Sequence, residues 1–176
     1  MGLLPQLFLN GLIAGGNYAL AAIGYTMVYS ILKFINFAHG SVAMVGAYLV
    51  FVLALTGLNI PLPLAFLLSM ILTALLGVTI EKVAYKPLRY APKLAPLTTA
   101  IAVSLVLDAT VMLFVGAEVQ TYRLPVTEGW HLGPVIITPV QVVIIGAGLF
   151  FMVCLHLLLT RTELGKAIRA VADDLN

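Results

Sequence analysis

Residues 11–48 read GLIAGGNYALAAIGYTMVYSILKFINFAHGSVAMVGAY. Two long apolar runs meet there at a short polar joint, Lys33-Phe34-Ile35-Asn36-Phe37-Ala38-His39-Gly40. Gly11, Gly15 and Ala19 recur at steps of four, and Ala22 follows three later. On a helix that spacing makes a flat strip where another backbone can come close. The second run repeats the device with Ala43 and Ala47 beside Gly40 and Gly46. No charge interrupts Leu3 to Leu32, more than a soluble core helix needs. The stretch predicts two packed transmembrane helices joined by a tight turn.

Composition points the same way. The chain is 62% hydrophobic and 9% charged, with a mean hydropathy of +1.11. A soluble domain carries roughly 25% charged residues, so lipid must be part of this chain's solvent. The formal charge of +2 says little until the charges are placed. A single cysteine, Cys154, excludes an internal disulfide and a cysteine metal site. No cationic segment precedes the first apolar run, unlike a cleaved signal peptide.

The first run exceeds the roughly 20 residues that cross a bilayer. It is therefore tilted, starts at the surface, or breaks near Gly15-Gly16. Asn10 and Asn17, seven apart, share a face, either as interhelical ties or as part of a polar pathway. Asn36 is placed to cap the second span. His39, in its first turn, is either a neutral interfacial group or a gating contact. Spans are expected at about 7–32, 37–56, 62–80, 98–117 and 140–160. The stretch 81–96, with four cations and three prolines, reads as an irregular loop. Asp108 falls inside the fourth span with Ser104 one turn earlier. It is either a pathway wall or a carboxyl tied between helices. In the long loop 118–139, short extended pieces are expected around 119–124 and 135–138, with Trp130 at the lipid interface. His131 lacks the company a metal site needs. Cys154 and His156 read as packing residues. From Arg161 the chain changes character. Thr162 can cap an amphipathic helix with Leu164, Ile168, Val171 and Leu175 on one face.

With the N-terminus outside and each span reversing direction, the inside segments hold Lys33, Lys82, Lys86, Arg89, Lys93, Arg161, Lys166 and Arg169. Only Arg123 is left outside. The positive-inside rule favours that topology. The fold class is all-α, a polytopic transmembrane bundle of about five spans with the N-terminus out and the C-terminal tail in. Residues 1–160 form the membrane domain.

Asn10-Gly11-Leu12 through Gly16, Tyr18-Ala19-Leu20, Ile35 to Gly40 and Gly46-Ala47-Tyr48 together resemble the membrane permeases of bacterial branched-chain amino acid ABC importers, closer to the LivH branch. Tyr85-Lys86-Pro87-Leu88-Arg89 and Thr162 to Ala167 with Arg169-Ala170 agree. The resemblance implies an inner-membrane transport subunit working with a second homologous permease, two cytoplasmic ATPases and a periplasmic solute-binding protein in the lipid bilayer. The pathway candidates are Asn17, Asn36, His39, Ser104 and Asp108, the last on its own chemistry, because the resemblance implies an uncharged polar residue at that place; the ATPase-coupling candidates are Gly165, Lys166 and Arg169. Loop 118–139 is the expected binding-protein contact.

No phosphate-cradling G-x-x-x-x-G-K-[ST] loop and no nucleophile–base pair occurs, so no catalytic residue, cofactor or metal is expected. No nucleic-acid partner is expected either. Residues 161–176 read as the start of a cytoplasmic coupling region that is truncated at Asn176. The alternative expectation is a truncated, non-transporting membrane fragment that only associates with helix partners. An ion-coupled secondary transporter would need more intramembrane ionisable groups.

Overall fold

The computed structural model describes residues 3–32, 34–55, 58, 60–88, 91–92, 94–118, 120, 129–132, 135–163, 165–167 and 170. Five helices in it are long and apolar enough to cross a membrane. They are α1 (Leu3–Leu32), α2 (Ala38–Leu55), α3 (Leu62–Ile80), α4 (Leu94–Val115) and α5 (Pro139–Arg161). The all-α expectation holds. One antiparallel hairpin is added to it, β1 (Trp130–Leu132) with β2 (Val135–Ile137).

The chain divides into two compact units. Residues 34–123 carry α2, α3 and α4, with α2 packed on both others. Residues 1–33 and 124–176 carry α1, the hairpin and α5, with α1 packed on α5. The two helices of the opening stretch thus belong to different units.

The α2–α3–α4 unit inverts the pattern of a soluble core. Ala38, Ala65 and Ala100 are fully buried and Ser41 and Ser69 nearly so, while Leu105, Val106, Leu113 and Phe114 point outward. Small residues let backbones approach, and the large apolar side chains are left for lipid. Hydroxyls inside the helices bond their own backbone one turn back. Thr79 donates to the Leu75 carbonyl at 2.8 Å and Thr110 to the Val106 carbonyl at 2.6 Å. That satisfies a polar group where no water is at hand.

Several expectations need correction. Residues 81–88, the first half of the stretch expected as an irregular loop, are helical instead. Glu81–Tyr85 forms a π-turn and Lys86–Leu88 a 3-10 turn, continuing the helix. The Lys86 N–H donates to the Glu81 carbonyl, five residues back. Pro87 accounts for the wide turn, because in an α-helix its ring would strike the Val83 carbonyl and remove a donor. The next helix starts at Leu94, since Pro96 in its first turn lacks only an N–H that would be orphaned anyway. It ends at Gly116, whose positive φ of 99° suits a left-handed terminator.

Helix α1 is unbroken at Gly15-Gly16 and 30 residues long, about 45 Å at the helical rise. The strip Gly11/Gly15 stands open, with nothing within 4 Å of where a Cβ would lie. Gly46 is the close approach instead, where a Cβ would come within 3.1 Å of Thr73 Oγ1 on α3. Cys154 and His156 are exposed rather than packed, because α5 meets a single helix in its unit and buries no residue among those described. Trp130 lies on β1 and is exposed. The extended piece expected around 119–124 falls outside the described residues apart from Gln120, as do Leu164, Ile168, Val171 and Leu175 of the tail.

Candidate functional site

In the α2–α3–α4 unit, polar groups gather at the start of α2. The Asn36 side-chain carbonyl accepts from the Ala38 N–H at 3.1 Å, capping the helix as its position predicted. The same oxygen accepts from the Tyr85 hydroxyl at 2.8 Å. The π-turn brings Tyr85 there, and the Phe34 ring meets it edge-on at 5.4 Å between centroids. Tyr85 is 8% exposed, so its hydroxyl has found the partner a buried phenol needs. His39 sits half-buried in the first turn of α2, its backbone N–H donating to the Asn36 backbone carbonyl at 3.2 Å.

Further along, Ser41 and Ser104 share a hydrogen bond of 2.7 Å that ties α2 to α4. Ser69 on α3 donates to the Gly46 carbonyl on α2 at 2.7 Å. Ser104 and Asn36 are therefore each hydrogen-bonded to a neighbouring element. Asp108, one turn beyond Ser104, is exposed and without a hydrogen bond or ion pair among the described residues. A bare carboxylate against lipid costs about 2.5–3.5 kcal/mol on insertion scales. In the membrane that side chain must therefore face water or protein.

Among the described residues, Thr73 Oγ1 is the one buried side-chain polar atom with no hydrogen-bond partner. Removing an unsatisfied buried hydroxyl recovers its desolvation cost. Thr73→Val is therefore expected to stabilise the protein by about 1 kcal/mol, read as a rise in the thermal unfolding midpoint in detergent. A fall would show that the hydroxyl is partnered in the membrane.

In the other unit, Asn17 is exposed and lines a largely apolar cavity of ≈ 310 Å³ with Gly16 and Ala19 from α1 and Gly148 and Met152 from α5. Asn10, on the same face, is an interhelical tie that accepts from Gln141 Nε2 of α5 at 3.3 Å. Thr138 and Gln141 form a reciprocal capping box at the start of α5, with Pro139 in its first turn. That box was readable as Thr-Pro-Val-Gln before an apolar run. Tyr85 stood in the sequence only within the Tyr85-Lys86-Pro87-Leu88-Arg89 stretch of the family resemblance, with nothing to pair it with Asn36, and no sequence signal pointed to Gln6. Among the described residues, no group of three metal-ligating side chains occurs.

At the far end of α5, Thr162 accepts from the Gly165 N–H at 3.1 Å and its hydroxyl donates to the Leu158 carbonyl at 2.5 Å. It closes α5 and caps the following turn, as its position predicted. Gly165 is buried, and a Cβ on it would overlap the Leu158 and Leu159 backbone carbonyls. Lys166 is exposed and pairs with Glu163 at 3.0 Å. Arg169 lies outside the described residues.

A family described as "Branched-chain amino acid transport system / permease component" matches residues 7–176. BraD of Pseudomonas aeruginosa, a high-affinity branched-chain amino acid transport system permease protein, is 41% identical over 97% of this chain. LivH of Salmonella typhimurium and LivH of Escherichia coli, which bear the same description, are each 35% identical over 98% of it. The chain spans 59% of the length of each of these relatives. No solved structure gives a significant match.

Proposed function

Because the chain belongs to the branched-chain amino acid transport system / permease component family, we propose that it is a membrane permease subunit of an ATP-driven importer for branched-chain or related amino acids. The observation that carries this reading is the 41% identity to BraD across 97% of the chain. Five apolar helices able to cross a membrane agree with it. The location is a bacterial inner membrane, with the N-terminus out and the tail in, which puts eight of nine cations inside.

The partners are a second homologous permease, two cytoplasmic ATPases and a periplasmic solute-binding protein. ATP hydrolysis belongs to the ATPases, and this chain supplies part of the solute pathway. Asp108 and Asn17 are its preferred wall residues, because both are exposed polar groups without a partner among the described residues. His39 is the remaining candidate near the joint. Lys166 and Arg169 are the proposed ATPase contacts, and Gly165 shapes the turn that presents them.

Uptake of labelled leucine tests this in cells lacking their own branched-chain permease and supplied with the full-length gene and its partner genes. The expected result is saturable uptake that needs the binding protein, stops with vanadate, and survives an uncoupler while ATP is held constant. Collapse with the uncoupler under those conditions would replace the reading with an ion-coupled transporter.

A further inference from the structure

The β1–β2 hairpin has three residues in each strand, and an isolated two-stranded hairpin is marginal at best in water. Something else must hold it. Gln6, in the second turn of α1, meets the Ile136 peptide with both ends of its side-chain amide. Its Nε2 donates to the Ile136 carbonyl at 3.1 Å, and its Oε1 accepts from the Ile136 N–H at 2.8 Å. The N–H and C=O of one strand residue point to the same edge. Gln6 therefore occupies that edge of β2 as a neighbouring strand would.

Two further features fix the hairpin. Gly129 leaves room for the Ile136 side chain, whose Cγ2 a Cβ at that position would overlap. The exit of β2 runs into the Thr138/Gln141 capping box, and Gln141 reaches Asn10, which also accepts from Gln6 at 3.3 Å. The hairpin is thus tied to α1 and α5 by one amide network. Trp130 and Ile136 stay exposed on it, at 56% and 44%, and aromatic side chains are enriched at protein interfaces.

We propose that Gln6 is a positioning residue that holds the hairpin in the geometry on which the periplasmic solute-binding protein docks. This rests on the importer reading above. Gln6 touches no solute and acts through Ile136. Its loss should weaken docking more than it slows the cycle once docking is complete.

The assembled transporter in lipid vesicles provides the test, with uptake measured against the concentration of solute-loaded binding protein. In Gln6→Leu the half-saturating concentration is expected to rise about threefold to tenfold, the worth of one hydrogen bond or less. The maximal rate should hold within about twofold on the same reasoning. Gln6→Glu keeps the acceptor for the Ile136 N–H but loses the donor to the Ile136 carbonyl and to Asn10, leaving oxygen against oxygen at both, so a rise of similar size is expected. If Gln6→Leu fails to assemble, Gln6→Glu decides. An unchanged half-saturating concentration in the assembled variant, or a fall in maximal rate alone, overturns the proposal. Wild-type uptake indifferent to the binding protein would overturn the importer reading, and this inference with it.

Discussion

Asn36→Ala is expected to destabilise the α2–α3–α4 unit by about 2–4 kcal/mol, and more than Tyr85→Phe does. One oxygen serves two donors there, the Ala38 N–H and the Tyr85 hydroxyl. Losing a side-chain cap costs about 1 kcal/mol. Leaving the hydroxyl of an 8% exposed tyrosine without a partner adds about 1–3 kcal/mol. Tyr85→Phe keeps the ring against Phe34 and leaves the cap intact, so it forfeits one hydrogen bond, about 1 kcal/mol. Asn36→Ser should fall between the two, keeping a cap while giving up the reach to Tyr85. Unfolding of the purified permease in detergent, run as a double-mutant cycle, measures the coupling directly. Equal losses in Asn36→Ala and Tyr85→Phe would mean that the cap contributes nothing and the shared oxygen is incidental.

That oxygen also marks the boundary of what the sequence could say. Lipid imposes long uncharged runs on any chain that crosses it, so the five helices were legible from apolar length alone. The Asn36 cap was legible too, because capping is local. Tyr85 was not, since its partner lies 49 residues away and a π-turn aims it. Nothing in Glu81-Lys82-Val83-Ala84-Tyr85 announces that turn except Pro87 beyond it, and the prolines and charges there pointed to a loop.

Spacing predicted where small residues fall on a helix but not which neighbour uses them. Gly11 and Gly15 stand open while Gly46 sits against Thr73. For the proposed site the limit is similar. Asp108 was conspicuous as the sole charge of its span, whereas Gln6 looked ordinary. Its value comes from a strand 130 residues further along the chain.

Gly165→Ala is the substitution expected to harm transport most while the spans still fold. The Thr162 hydroxyl closes α5 on the Leu158 carbonyl, and its oxygen receives the Gly165 N–H. The Lys166 N–H returns to the Thr162 carbonyl at 3.1 Å. These bonds fold the chain back on the end of α5, so that Gly165 lies against the Leu158 and Leu159 carbonyls. A methyl group there meets backbone rather than the tip of a flexible side chain, and the turn must shift. Overpacking of that kind costs about 1–3 kcal/mol, spent where the proposed ATPase-coupling segment leaves the membrane domain.

The expected outcome is normal membrane insertion with ATP-driven uptake reduced about tenfold or more, since a displacement of about 1 Å at a positioned contact can cost a hundredfold. Lys166→Ala and Glu163→Ala separately test the surface. Their ion pair is exposed, and such pairs contribute little to stability. Loss of uptake in Lys166→Ala with unchanged unfolding would assign that ammonium to the partner. Wild-type uptake in Gly165→Ala would mean that the turn can move without consequence, and the coupling segment would then have to be sought beyond it.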